Sequence, residues 1–421
     1  KIKVVINQGD DYCIRNGFST LSDCMLVMNN HETSVEIAKQ NITAKGTPDF
    51  SKTATTDEGL FMTEDDDGES YYYRGAVKNN YVSFAGYTWR IIRRNGDGSI
   101  RMIYSGKTTS DTGESTMIGY SAFNEKYWDP TYIGYKYNEN FSLYENNETR
   151  IYSWFTNTTK YNFGSGYTFD KSTKKFTLTG TIKQLTWKDN NEEIVSGNLY
   201  SCLNTSCNVV YKITGYSNDT TMVVQPISYS SNSYAEAVIN STNSTMKSTL
   251  DTWYKNNLTS YASYLADETF CNDRSINWGS GYLMTVTTTY GTYGRLAEKK
   301  TPSLKCIKDT DKFRMSNESA KLDYPIALIT GDEVALAGGG FNMPNSNYYL
   351  YNGQNFWTIS SATFEAACSY GLVWFVLPDG GVTRWNNVAN SFGVRPVINL
   401  KADTQITKGD GTALNPYAVQ S

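Results

Sequence analysis

The sequence predicts an α+β protein dominated by antiparallel sheet. Three stretches carry that prediction. "YVSFAGYTWRIIRRNGDGSIRMI" reads as alternating strands around a tight turn. "STMKSTLDTWYKNNLTSYASYLAD" places Met246, Leu250, Trp253, Leu258, Tyr261 and Leu265 at helical spacing. "FWTISSATF", "YGLVWFVLPDGGVTRWNN" and "FGVRPVINL" read as closing strands, with "PDGG" as a hairpin turn.

In chain order, "KIKVVINQ" alternates like a strand. The stretch after Cys13 reads as one or two helices. Thr33 or Ser34 is placed to cap the second, with Val35, Ala38 and Ile42 on one face. The polar, acidic segment from Gly46 to Ser70 reads as a linker. In the first strand pair, Val82, Phe84, Trp89 and Ile91 mark the buried side, interrupted at Gly86. Strand-like runs from Tyr161 to about residue 230 suggest an inserted β-rich subdomain. "DYPIALITGDEVALAGGG" reads as a short strand, a turn and a helical stub ended by glycines. The expected organisation is an N-terminal strand-helix module and acidic linker (1–70), a main domain (71–401) interrupted at 161–230, and a turn-rich tail (402–421).

At 421 residues the chain can bury a large core and hold two or three modules. Charged residues make up only 19%, and the net charge is −4. Asn, Ser, Thr, Gly and 33 Tyr fill the gap, a composition suited to an exposed extracellular protein. Nucleic-acid binding needs a basic stripe, and the basic runs here are short. No apolar run approaches the ~18 residues of a membrane span. The chain opens on Lys1 rather than Met, as expected of a processed mature protein or of a trimmed chain.

Seven cysteines and one histidine favour disulfides over zinc. Spacing suggests Cys13 with Cys24, Cys202 with Cys207, and Cys271 with Cys306, leaving Cys368 over, although spacing alone does not fix connectivity.

The order of "YVSFAGYTWRII", "STLDTWYKNNL", "ALITGDEV", "WTIS" and "GVRPVINL" resembles a domain of unknown function from secreted proteins of low-GC Gram-positive bacteria. That domain is related to the formylglycine-generating-enzyme and C-type-lectin-like fold. The resemblance spans roughly Tyr71–Ser105 and Met246–Lys401. The N-terminal "LSDCMLVMNNHETSVEIAK" and "GESYYYRG" resemble gut Firmicutes-type surface proteins carrying the same domain. The resemblance implies a C-type-lectin-like domain and a surface location. It implies no established activity.

The calcium chemistry of lectins fits poorly. "MPN" at Met343 to Asn345 opens with a thioether where a hard cation wants oxygen, and "WNN" ends on Asn387 where a carboxylate is needed. "TEDDDGES" fails as an EF-hand: with Gly68 sixth, the first position is Thr63 and the twelfth is Arg74. Thiol oxidase chemistry would rest on Cys368 alone, with His31 outside the domain. No metal or cofactor is therefore expected.

What remains is a binding surface of aromatics and amides. Its candidate residues are Asn345, Tyr348, Tyr349, Tyr351, Trp385, Asn386, Asn387 and Asn390. The expected role is non-catalytic adhesion or recognition of a host or microbial surface protein or glycan. One alternative is a filament or pilus subunit whose Lys1–Asn7 strand pairs with a neighbouring sheet edge. The other is an enzyme of the formylglycine-generating type.

Overall fold

The computed structural model describes residues 12–138, 233–283 and 286–420, and the backbone of strands lying between 142 and 228. The expected Lys1–Asn7 strand lies outside the described residues. The chain divides into two compact units. One comprises Lys1–Tyr137, Val238–Gly281 and Thr287–Ser421; the other comprises Asn138–Ala237 and Tyr282–Val286.

The larger unit is mixed α+β, with two main sheets. In the first, Asp57–Asp65, Gly68–Gly75, Tyr87–Arg94, Tyr81–Phe84, Tyr417–Val419 and Ile406–Lys408 are neighbours in that order. Ile100–Tyr104 also pairs with Tyr87–Arg94 and carries Val397–Leu400. The "GVRPVINL" signature thus closes this sheet. Val82, Phe84, Trp89 and Ile91 are all buried, as their alternation predicts. In the "NGDG" turn the Asn95 N–H donates to the Ser99 carbonyl, and Gly98 takes a φ of 93°.

The acidic segment before Ser70 is not a linker. Asp57–Asp65 and Gly68–Gly75 form a hairpin that runs through the expected boundary. Leu60 and Phe61 are buried, and Asp65 ends the first strand facing Arg93 at 2.7 Å. The acidic side chains hide a strand because several are ion-paired or turn-forming rather than solvated. The tail is also structured. Tyr417–Val419 runs parallel to Tyr81–Phe84, and the Leu21 N–H donates to the Thr404 carbonyl.

The N-terminal helices Leu21–Val27 and Val35–Ala44 are capped by Thr20 and Ser34, whose hydroxyls accept from Asp23 and Ile37 N–H groups. Cys13–Cys24 ties the first helix to the segment before it. Lys45 Nζ donates to the Glu58 and Leu60 carbonyls, anchoring the second helix end to the hairpin.

Helix Thr245–Asn257 is shorter than its apolar spacing predicts. Leu258 leaves helical geometry at φ −122°, and a 3₁₀ stretch follows over Thr259–Tyr264. Its buried stripe is Met246, Lys247, Leu250, Asp251 and Tyr254. Trp253 instead joins Tyr87, Trp89 and Tyr104 in an aromatic cluster, with ring centroids 5.6–6.4 Å apart.

The second sheet runs Ile276–Trp278, Thr288–Tyr290, Phe356–Glu365, Tyr370–Val376 and Val382–Thr383. Ser391–Gly393 joins Phe356–Glu365 and Tyr120–Ala122. The "ALIT" segment makes only an isolated bridge, Ala327 to Val397. Helix Gly331–Leu336 follows with a capping box, Thr330 and Glu333 bonding each other's backbone N–H. It ends before Gly338, whose φ of 118° suits glycine.

The smaller unit contains an antiparallel sheet ordered Tyr167–Asp170, Lys175–Leu178, Thr221–Ser228, Ser206–Asn218 and Asn198–Leu203. Cys202 stands opposite Cys207 in its backbone register. Their side chains lie outside the described residues.

Candidate functional site

The structure separates the predicted surface residues. Trp385 is 63% exposed and Tyr351 37% exposed. Asn386 and Asn390 are half-buried. Tyr348, Tyr349 and Asn345 do not belong to a surface. The Tyr348 hydroxyl donates to the Gly380 carbonyl at 3.1 Å, and the Tyr349 ring lies under the Arg90 guanidinium at 5.4 Å. Burial pushes both phenols well above their ordinary value. Asn345 Nδ2 donates to the Ala54 and Gly338 carbonyls at 2.9 Å, tying three loops together. Asn387 is buried too, its Oδ1 accepting from the Ala389 N–H. Tyr, Asn and Gly are the vocabulary of a binding loop, but also of a loop-rich interior that must satisfy its backbone.

The calcium tripeptide is committed elsewhere as well, since Asn345 Oδ1 accepts from the Asn347 N–H. Among the described residues, no group of three or more His, Cys, Asp or Glu is arranged to hold a metal. Cys271–Cys306 is a second disulfide, and Cys368 is free and exposed beside Ser369, which has a φ of 59°. His31 packs against Tyr12, with ring centroids 4.8 Å apart.

Around Trp385 the structure assembles residues that composition alone did not single out. Val382–Thr383 pairs with Tyr370–Val376, Thr383 opposite Phe375. Trp374 and Arg384 are therefore the next residues along the two chains. Tyr293 reaches both: its ring stacks on Trp374 at 6.4 Å and lies under the Arg384 guanidinium at 4.7 Å. Trp385 covers the same guanidinium at 4.3 Å. Phe341 meets Trp374 edge-on at 5.4 Å. Arg384 is only 8% exposed, yet its Nε and Nη1 have no hydrogen-bond acceptor, and neither has Trp374 Nε1. Arginine tolerates this position because its planar, weakly hydrated cation gains from aromatic faces. The only sequence signal was the Arg-Trp dipeptide; Tyr293, from a distant helical turn, left none.

A second charged cluster has a different character. Glu333 contacts Arg101 at 2.6 Å and Arg93 at 3.0 Å, while Arg93 also binds Asp65. Arg295 bridges Asp273 and Asp332 at 2.7 and 2.8 Å. Burial opposes ionisation of Glu333, but the Arg101 and Arg93 charges overcome it and hold its carboxyl below the usual range. Glu268 faces the same cavity. Burial, followed by the Asp97 and Asp67 charges, pushes its carboxyl up to about 8. A perturbed acid in a cleft can mark a catalytic site. The cavity, however, is about 30 Å³, which accommodates a water and not an organic substrate. Its charges chiefly satisfy one another and fix helix Gly331–Leu336 to the first sheet.

The larger unit is thus an α+β scaffold presenting an aromatic–guanidinium face. No family model matches the chain. Comparison with curated proteins and with solved structures likewise yields no match.

Proposed function

We propose that this chain is an extracellular, non-catalytic recognition protein of a Gram-positive bacterial surface. It uses a C-type-lectin-like domain to bind a host or microbial glycan or glycoprotein. The observation that carries this reading is Trp385, 63% exposed while its ring is held against a cation. A large, pre-positioned aromatic costs little entropy on binding and supplies much of the contact area. Two disulfides suit an oxidising location. Among the described residues, no helix is long and apolar enough to cross a membrane.

The test is retention on immobilised mucin, a glycoprotein surface carrying both kinds of epitope. Trp385→Ala is expected to abolish retention with an unchanged melting temperature, because the ring is largely outside the core. Undiminished retention by that variant would refute the assignment.

A further inference from the structure

Seven arginines of the described residues are buried: Arg74, Arg90, Arg93, Arg101, Arg274, Arg384 and Arg395. Six of them have acceptors. Arg74, Arg93, Arg101 and Arg274 each pair with a carboxylate. Arg90 donates to Asn80 and the Val77 carbonyl, and Arg395 donates to the Tyr104 and Leu350 carbonyls. Arg384 alone of the seven has neither an ion pair nor a hydrogen-bond acceptor. Its neighbour on the paired strand, Trp374, holds a second donor without an acceptor. Buried donors are rarely left without an acceptor, because each then forfeits the hydrogen bonds it made to water.

We infer that Arg384 is the anchor of a subsite for a carboxylate-bearing pyranose, a uronic or sialic acid. The inference rests on the recognition reading above and names its ligand class. A carboxylate supplies what Arg384 lacks, two acceptor oxygens matched to the guanidinium fork. The Tyr293 and Trp385 rings lie 4.7 and 4.3 Å from the guanidinium, and neither ring supplies the acceptor its N–H groups lack. Trp385, 63% exposed beside the guanidinium, marks the side of the cluster that is open to solvent. Its ring then provides the apolar platform on which a pyranose face rests. Lys300, whose ammonium lies 5.4 Å from the Phe341 ring centroid, adds positive charge near the same aromatic group. Its own hydrogen bonds go to the Leu296 and Ala297 carbonyls, so it attracts the anion at range rather than gripping it.

The experiment is calorimetric titration of the whole chain with 3′-sialyllactose, trigalacturonate, its methyl ester and lactose. The expected result is that at least one acid binds at least tenfold tighter than the neutral sugars; which one does so distinguishes a sialate from a uronate ligand. Arg384→Gln is expected to lose at least tenfold in affinity for that acid and to bind acid and neutral sugars alike. If Arg384→Gln does not fold, Arg384→Lys serves: it keeps the charge, loses the stacked fork, and is expected to lose most of the discrimination. Equal affinity for acids and neutral sugars, no binding of either acid, or discrimination surviving the Arg384 variant would overturn the inference. The two levels fail separately. Mucin retention that depends on Trp385 but survives sialidase treatment and carboxyl reduction sinks the acidic ligand and leaves recognition standing. Retention that ignores Trp385 sinks both.

Discussion

Glu268→Gln isolates the most perturbed acid of the charged cavity. Glu268 is 8% exposed, and its carboxyl titrates at about 8 instead of 4.5. Burial is the largest cause, and the Asp97 and Asp67 charges add to it; Arg314, 3.6 Å away, pulls the other way without prevailing. Between pH 4.5 and about 8 the folded chain holds a proton that the unfolded chain has released. Folding therefore loses stability as pH rises through that window and is level above it. At ~1.36 kcal/mol per pH unit, the whole window corresponds to roughly 4–5 kcal/mol, and solvent screening at the cavity mouth trims this to about 2–3 kcal/mol. Glutamine keeps the shape and neutrality of the protonated acid and cannot ionise.

The assay is urea denaturation of both proteins from pH 5 to pH 9 at constant ionic strength. The variant should match the parent at pH 5 and exceed it by about 2–3 kcal/mol at pH 9. Subtracting one curve from the other cancels every other titrating group. Parallel curves would refute the reasoning, because they would mean that Glu268 ionises in the folded state at its ordinary pH.

Other perturbations follow from single contacts. Glu333→Ala leaves Arg93 and Arg101 buried together without their shared counter-charge and removes a capping box, so stability should fall by about 3–5 kcal/mol, read as a lower urea midpoint. Gly380→Ala places a methyl group against the Asn345 carbonyl oxygen at a φ of 83°, and should lower the melting temperature while freeing the 343–352 loop to proteolysis. The Cys271–Cys306 bridge spans 35 residues and Cys13–Cys24 only 11. Replacing the first pair by serine should cost about 3–4 kcal/mol and the second about 1 kcal/mol less, and calorimetric melting should rank them in that order.

The sequence made the fold's period-two elements visible where one face is uniformly apolar. Val82, Phe84, Trp89 and Ile91 are such a case, and the closing Val397–Leu400 strand is another. The Asp57–Gly75 hairpin was hidden for an identifiable reason. Asp65 and Arg74 sit where apolar residues would ordinarily announce a buried strand, and each is compensated by a partner remote in the chain, Arg93 and Glu58. Likewise "RIIRR" has the alternation of a strand, but that pattern does not reveal that Arg90 and Arg93 are buried. A buried ion pair takes two residues to recognise, and local periodicity sees one.

The candidate site was half legible for a related reason. Trp385 is conspicuous as a tryptophan near a turn, but Tyr348 and Tyr349 meet the same aromatic criterion and are core. What separates them from Trp385 is not residue type but burial, at 2% and 7% exposure against 63%. Tyr348 donates to a turn carbonyl that needs closing, and Asn345 to two backbone carbonyls. Arg384 finds none, although every other buried arginine of the described residues does. An interior that gives six buried guanidinium groups an acceptor leaves the seventh beside two rings, one of them largely exposed, with Trp374 Nε1 unpaired on the neighbouring strand. That cluster is where a ligand would contribute most, because it would complete bonds the fold has left open.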